Sequence, residues 1–134
     1  MSAKGIVDLS KKYVLIVDDD ESIRSAIADV ISDEFPDHLL IEAGNPVDAI
    51  DLFHHYKNNI SFVICDYFMP IENGMELCRL IKSTHKNIKT ILFSGSDNVL
   101  EGKDRSAIDL YLVKGGNLDE LIKYIRHSGL KDPD

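Results

Sequence analysis

Long apolar runs are missing from this chain. The longest, residues 13–17, spans five positions, whereas a membrane-crossing helix needs about 20 and the core of a secretion signal about 7–15. Positive charge is also scarce: 15 lysines and arginines face 23 aspartates and glutamates, leaving a formal net charge of -8 and a pI near 5.0. That balance opposes contact with phosphate backbones and anionic membranes, so neither direct nucleic-acid binding nor membrane attachment is expected. Cysteine is limited to Cys65 and Cys78, which lack metal-ligand or redox spacing and are expected to be buried free thiols in a reducing compartment. The five histidines, His38, His54, His55, His85 and His127, form no ligand set. Adjacent His54 and His55 point apart on a helix, so zinc is not expected. No low-complexity segment or long linker divides the 134 residues. With 44% hydrophobic content, the chain suits one soluble, cytoplasmic domain, 1–134, with its core at about 13–127 and loose ends at the first ten residues and 131–134.

What the chain does contain is an alternation of two periodicities. Short apolar runs at 14–17, 39–43, 62–65, 90–93 and 108–113 read as strands, and helical spacing follows most of them. After Glu21 come Ile23, Ile27, Val30 and Ile31. Asn45 and Pro46 supply a cap and a first-turn proline ahead of Val47, Ile50, Leu52 and Phe53. Met75, Leu77, Cys78, Leu80 and Ile81 mark a third helix, so the hairpin signal of Asn73-Gly74 is rejected. Residues 97–107 are expected as a fourth helix despite Gly102 and few apolar positions. Leu118, Leu121, Ile122 and Ile125 complete a fifth. Five strands alternating with five helices imply an α/β fold, a doubly wound parallel sheet with helices on both faces.

In that arrangement the carboxyl ends of the strands share one rim, where ligand crevices form. The first strand ends in Asp18, Asp19 and Asp20, the third in Asp66, the fourth in Ser94 and the fifth in Lys114. Asp20 is explained by helix capping, Asp18 and Asp19 less well. Asp66 alone could be no more than the start of a turn toward Pro70. Carboxylates gathered within about 4 Å, however, repel by roughly 4 kcal/mol per pair at an effective dielectric of about 20, and so call for protonation or a cation. Oxygen-only ligands in an open site beside a phosphate favour Mg2+. A carboxylate beside Mg2+ and an ammonium group can attack phosphorus and become an aspartyl phosphate.

Together, Val14-Leu15-Ile16-Val17-Asp18-Asp19, Asp66 followed by Met69-Pro70 and Asn73-Gly74, Ser94-Gly95, and Tyr111-Leu112-Val113-Lys114 resemble the receiver domain of two-component response regulators, chemotaxis-regulator type, over roughly residues 13–127. The resemblance implies a flavodoxin-like sheet of order 2-1-3-4-5. It implies that Asp66 accepts a phosphoryl group from a partner's phosphohistidine, carried by a sensor histidine kinase or a histidine phosphotransfer domain. Asp18, Asp19, Asp66 and the Phe68 backbone carbonyl would hold Mg2+, Lys114 would contact the phosphate, and Ser94 and Tyr111 would act as switch residues. The responding surface, and a possible homodimer contact, would be the fourth helix, fifth strand and fifth helix. On this reading the chain is a phospho-acceptor signalling domain, with no enzymatic activity beyond its own phosphorylation and dephosphorylation.

Two departures stand out. The family usually follows its lysine with a cis proline, whereas Gly115 and Gly116 follow Lys114 here, and a trans bond is expected. Phe68 places a bulky ring two residues after Asp66, where it would either hinder attacking water or pack against a neighbouring loop. Three other readings fit part of the pattern. A haloacid-dehalogenase-type phosphatase would use the Asp18-x-Asp20 pattern, with Ser94 and Lys114 as later motif residues, but the chain leaves no room for a cap. A receiver-like module that works without phosphorylation is consistent with the Lys-Gly-Gly sequence, though not with the retained aspartates. A flavodoxin-type protein is opposed by the acidic first loop.

Overall fold

The computed structural model describes residues 5–69, 73–95, 100–115 and 118–128. Its strands are β1 (Lys12–Val17), β2 (His38–Ala43), β3 (Ile60–Asp66), β4 (Lys89–Ser94) and β5 (Leu110–Val113); its helices are α1 (Glu21–Glu34), α2 (Pro46–Tyr56), α3 (Gly74–Thr84) and α4 (Asp119–His127). The sheet order is β2-β1-β3-β4-β5, with every pair parallel. Successive strand residues point to opposite faces, and here both faces are covered. Leu15, Val17, Val63, Cys65 and Leu92 pack with Phe53, Leu77 and Ile81 of α2 and α3. Val14, Ile16, Phe62, Ile64, Ile91 and Phe93 pack with Ile27, Ile31, Leu121 and Ile125 of α1 and α4. Each fully buried aliphatic side chain contributes about 1.5–3 kcal/mol, so the continuous apolar runs of β1 and β3 follow from double coverage.

Side-chain caps set where α1, α2 and α3 begin. Asp20 accepts from the amides of Ser22 and Ile23 at the start of α1. Asn45 and Asp48 cap each other at α2: the Asp48 amide donates to Asn45 Oδ1 at 2.8 Å, and Asn45 Nδ2 donates to Asp48 Oδ2 at 3.0 Å. Asn73 accepts from the Glu76 amide at 3.0 Å to open α3.

Two expectations need correction. Four helices, not five, occur among the described residues. The expected helix at 97–107 is a series of turns over its described part, 100–107. Gly102 adopts φ 75° there, and the Asp104 carboxylate accepts from the Ser106 amide at 2.9 Å, a local bond that competes with helix. Buried Thr90 anchors the end of the segment, its hydroxyl donating to the Ala107 carbonyl at 2.5 Å and its amide to the Asp109 carboxylate at 2.8 Å. Asp109 in turn pairs with Lys82 at 2.6 Å. Ahead of β1, Asn59 donates to the carbonyls of Leu9 and Lys11, and His55 bonds to the Gly5 carbonyl, while residues 1–4 lie outside the described residues. The looseness expected of 131–134 lies outside the described residues. No helix of the described residues is long and apolar enough to cross a membrane.

Candidate functional site

Strand register brings the site together. Val17 pairs with Cys65, Asp66 with Phe93, and Ser94 with Val113. Asp18, Asp66, Ser94 and Lys114 therefore leave the sheet at one level, on the rim where the strand order turns between β1 and β3. Asp18, Asp66 and Ser94 are buried, with 2%, 5% and 0% of their surface exposed, while Asp19 is exposed. One oxygen from each of Asp18, Asp19 and Asp66 lies within 4.8 Å of the others. Lys114 Nζ sits 3.1 Å from Asp18 Oδ2 and 3.1 Å from Asp66 Oδ1, bridging the two buried carboxylates. The Lys114 amide also donates to the Ser94 carbonyl at 2.6 Å, which ties the loop after β5 to the end of β4.

The electrostatics follow from that packing. Burial, helped by Asp18, raises the pKa of Asp66 against the opposing pull of Lys114 and of the Phe68 amide, which donates to Asp66 Oδ1 at 3.3 Å. Burial alone would lower the pKa of Lys114, but its bonds to Asp66 and Asp18 outweigh that effect and raise it. Lys114 therefore stays charged beside a carboxylate whose ionisation is costly. By contrast, burial pushes the Cys65 thiol well up and Cys78 to about 12, which keeps both protonated as core residues.

The remaining expected residues lie around this centre. Tyr111 is half-buried on β5, three residues before Lys114, with the Arg105 guanidinium 5.9 Å from its ring centre. Phe68 is 58% exposed, and its ring meets Tyr67 edge-on at 4.9 Å. No peptide bond among the described residues is cis, and Gly115 takes φ 99°, so a glycine conformation forms the turn that follows Lys114. Pro70 and Gly116 lie outside the described residues.

Two residues were not singled out as part of the site from the sequence. Arg24 Nη1 donates to the Asp18 carbonyl at 2.6 Å, and its Nε donates to Glu42 Oε1 at 3.3 Å. A cation in the first turn of α1 opposes the positive helix terminus, and that was the available signal of a compensating partner. At Gly74, a Cβ would lie 2.2 Å from the Asp66 carbonyl oxygen and 2.8 Å from Cys65 Sγ. Only glycine lets α3 start against the end of β3.

The sequence profile of the response regulator receiver domain matches residues 14–126, most of the chain. The chain belongs to this family. Response regulator MprA of Mycobacterium sp. (strain KMS) is 33% identical over 116 residues, covering 84% of this chain and 48% of the relative. The chain thus spans about half the length of the mycobacterial relatives it matches. Chemotaxis protein CheY of Halobacterium salinarum is 29% identical over 105 residues, covering 77% and 84% of the two chains. Among solved structures, Thermotoga maritima response regulator TrrA in complex with Mg2+-BeF superposes with a TM-score of 0.76 at 30% identity, over 86% of this receiver and 96% of TrrA. TrrA in complex with histidine kinase ThkA superposes with a TM-score of 0.74, also at 30% identity, over the same shares of the two chains. The five-stranded parallel sheet of order 2-1-3-4-5 is thus the receiver fold in this chain.

Proposed function

We propose that this receiver takes a phosphoryl group onto Asp66 from the phosphohistidine of a partner kinase or phosphotransfer domain, and answers by changing the surface around β5. The observation that carries this reading is the placement of Lys114 Nζ at 3.1 Å from both Asp18 and Asp66, inside a group of three convergent carboxylates. Asp66 Oδ attacks phosphorus; the O–P bond forms as the N–P bond to the partner's imidazole breaks, and the electron pair stays on the departing ring nitrogen. Lys114 holds positive charge against the phosphoryl oxygens. Ser94, next to the turn that Lys114 begins, supplies a hydroxyl to the phosphorylated state, and Tyr111 is the aromatic that responds on β5.

The donor set fits Mg2+: the three convergent carboxylates are hard oxygen ligands, and burial makes the charge of Asp66 costly. Asp18, Asp19, Asp66 and the Phe68 carbonyl would hold the ion. Bound there, it would neutralise the carboxylates and the incoming phosphoryl oxygens. The complex between TrrA and ThkA supports a histidine kinase as the partner class.

An apolar recess of about 760 Å3 lies next to Lys114, lined by Ile23 and Ile27 of α1, Phe93, Tyr111, Leu112 and Leu118, and it offers a partner a docking surface close to Asp66. The responding surface comprises residues 100–107, β5 and α4, since the expected fourth helix is replaced by turns; a homodimer would use the same surface. The receiver core spans residues 13–127. It works in the cytoplasm, and its chemistry is limited to its own phosphorylation and dephosphorylation. Incubation with Mg2+ and a small-molecule phosphodonor, followed by intact mass, tests the reading. Wild type is expected to gain one phosphoryl group and Asp66→Asn none; no gain on wild type would favour a phosphate-independent module.

A further inference from the structure

We infer that Arg24 is a positioning residue for the carboxylate cluster: its guanidinium holds the Asp18 carbonyl so that the Asp18-Asp19 peptide turns both carboxylates toward the metal ion. The inference rests on the receiver reading above. Helix formation gives no reason for an arginine at this position, because a cation in the first turn faces the exposed amides of the helix start. The contacts supply a reason. Arg24 reaches back from α1 across the ends of two strands, with Nη1 at 2.6 Å from the carbonyl oxygen of Asp18, the residue after β1, and Nε at 3.3 Å from Glu42 Oε1 on β2. Its side chain is only 18% exposed.

The adjoining backbone is built around this reach. The Asp18 amide donates to the Ala43 carbonyl at 3.1 Å, so the residue is held through both its amide and its carbonyl. Gly44 follows, and a Cβ there would stand 3.1 Å from Arg24 Nη1 and 4.0 Å from the Asp18 carbonyl oxygen. The missing side chain leaves the guanidinium its path. The carbonyl that Arg24 holds belongs to the peptide joining Asp18 to Asp19, both members of the group whose oxygens converge within 4.8 Å. A rotation of that peptide would swing Asp19, the exposed member, out of the group. The Asp20 carboxylate is engaged separately in capping α1.

Positioning and charge act in opposite directions here, which makes the inference testable. As a positive charge near the cluster, Arg24 opposes a divalent cation, so on charge alone its removal tightens Mg2+ binding. As a clamp it favours binding, and groups that orient metal ligands typically change metal affinity by about 10–100-fold when mutated. The experiment titrates the unphosphorylated full chain with Mg2+ and follows backbone amide resonances at the ends of β1 and β3, with Arg24→Gln, Arg24→Lys and Glu42→Gln as variants. Arg24→Gln is expected to weaken Mg2+ binding about tenfold. Arg24→Lys, which keeps the charge but lacks the two-pronged donor geometry, is expected to weaken it several-fold, and Glu42→Gln less.

Arg24→Gln is also expected to need about tenfold more Mg2+ to reach half of its own maximal phosphorylation rate, a shift that a smaller folded fraction would not produce. Unchanged or tighter Mg2+ binding in Arg24→Gln overturns the inference. Should that variant fail to fold, wild-type affinity in both Arg24→Lys and Glu42→Gln overturns it equally. Failure of the wild type itself to bind Mg2+ at millimolar concentration overturns the receiver reading of the site, and the inference falls with it.

Discussion

Replacing the proposed nucleophile is expected to make the protein more stable. In Asp66→Asn the side chain keeps its shape and loses its charge. At the 4.8 Å limit of the carboxylate group and an effective dielectric of about 20, Asp66 is repelled by Asp18 and by Asp19 with roughly 3.5 kcal/mol each. Lys114 at 3.1 Å attracts it by roughly 5 kcal/mol on the same scale. Asp19 is exposed, and solvent screening reduces its share by about half or more. The pairwise terms then nearly cancel, and the cost of burying the charge decides the sign. Lys114 keeps Asp18 as a partner in the variant, so no orphaned ammonium offsets the gain.

The expected gain is on the order of 1 kcal/mol at pH 7 in metal-free buffer, a rise in melting temperature of about 3–5 °C for a domain of this size. The pH dependence follows from the raised pKa of Asp66. The folded state holds that proton more tightly than the unfolded chain, so wild type loses stability as pH rises from the ordinary value of 3.8 through the raised one. The gap to Asp66→Asn should open across that window and level off above it. Adding Mg2+ should stabilise wild type, by roughly 2.7 kcal/mol at 100 times its dissociation constant, and stabilise the variant less. Thermal unfolding by circular dichroism across pH, with and without Mg2+, measures all three effects. A less stable Asp66→Asn in metal-free buffer at pH 7, or a gap that widens as pH falls, would refute the reasoning.

Three further perturbations separate the parts of the site. Lys114→Met should slow phosphorylation from a small phosphodonor roughly 10²-fold, read by intact mass against time, and should lower the melting temperature because Asp18 and Asp66 lose the cation between them. Gly74→Ala should cost about 1–3 kcal/mol in chemical denaturation, since its methyl group would push against the Asp66 carbonyl at 2.2 Å; an unchanged midpoint would mean that α3 can shift freely. Phe68→Asn should shorten the aspartyl-phosphate half-life several-fold on the reading that a bulky ring two residues after Asp66 hinders attacking water, and decay of labelled protein provides the check. An unchanged half-life would leave Phe68 with only its contact to Tyr67.

The parts of the structure that were legible in the sequence are those fixed by local pattern or by strand register. β1 and β3 stood out because a strand buried on both faces needs continuous apolar residues, and Asp18 and Asp66 stood out as the first carboxylates beyond them. The helix caps at Asp20 and Asn45 are likewise local chemistry. Segment 100–107 was misread because its geometry depends on Thr90, 17 residues from Ala107 and 19 from Asp109. The tethering of the amino-terminal residues by His55 and Asn59 spans 48–50 residues and was equally hidden. Arg24 and Gly74 meet backbone atoms of Asp18 and Asp66, and side-chain patterns do not display contacts to backbone.

The position of the phosphoryl group tests the account most directly. After reaction with Mg2+ and a phosphodonor, borohydride reduction converts an aspartyl phosphate into homoserine, and peptide mass mapping locates the converted residue. Homoserine is expected at position 66 alone, and none in Asp66→Asn. Conversion at Asp18, the nucleophile of the phosphatase reading, or at no residue, would contradict it.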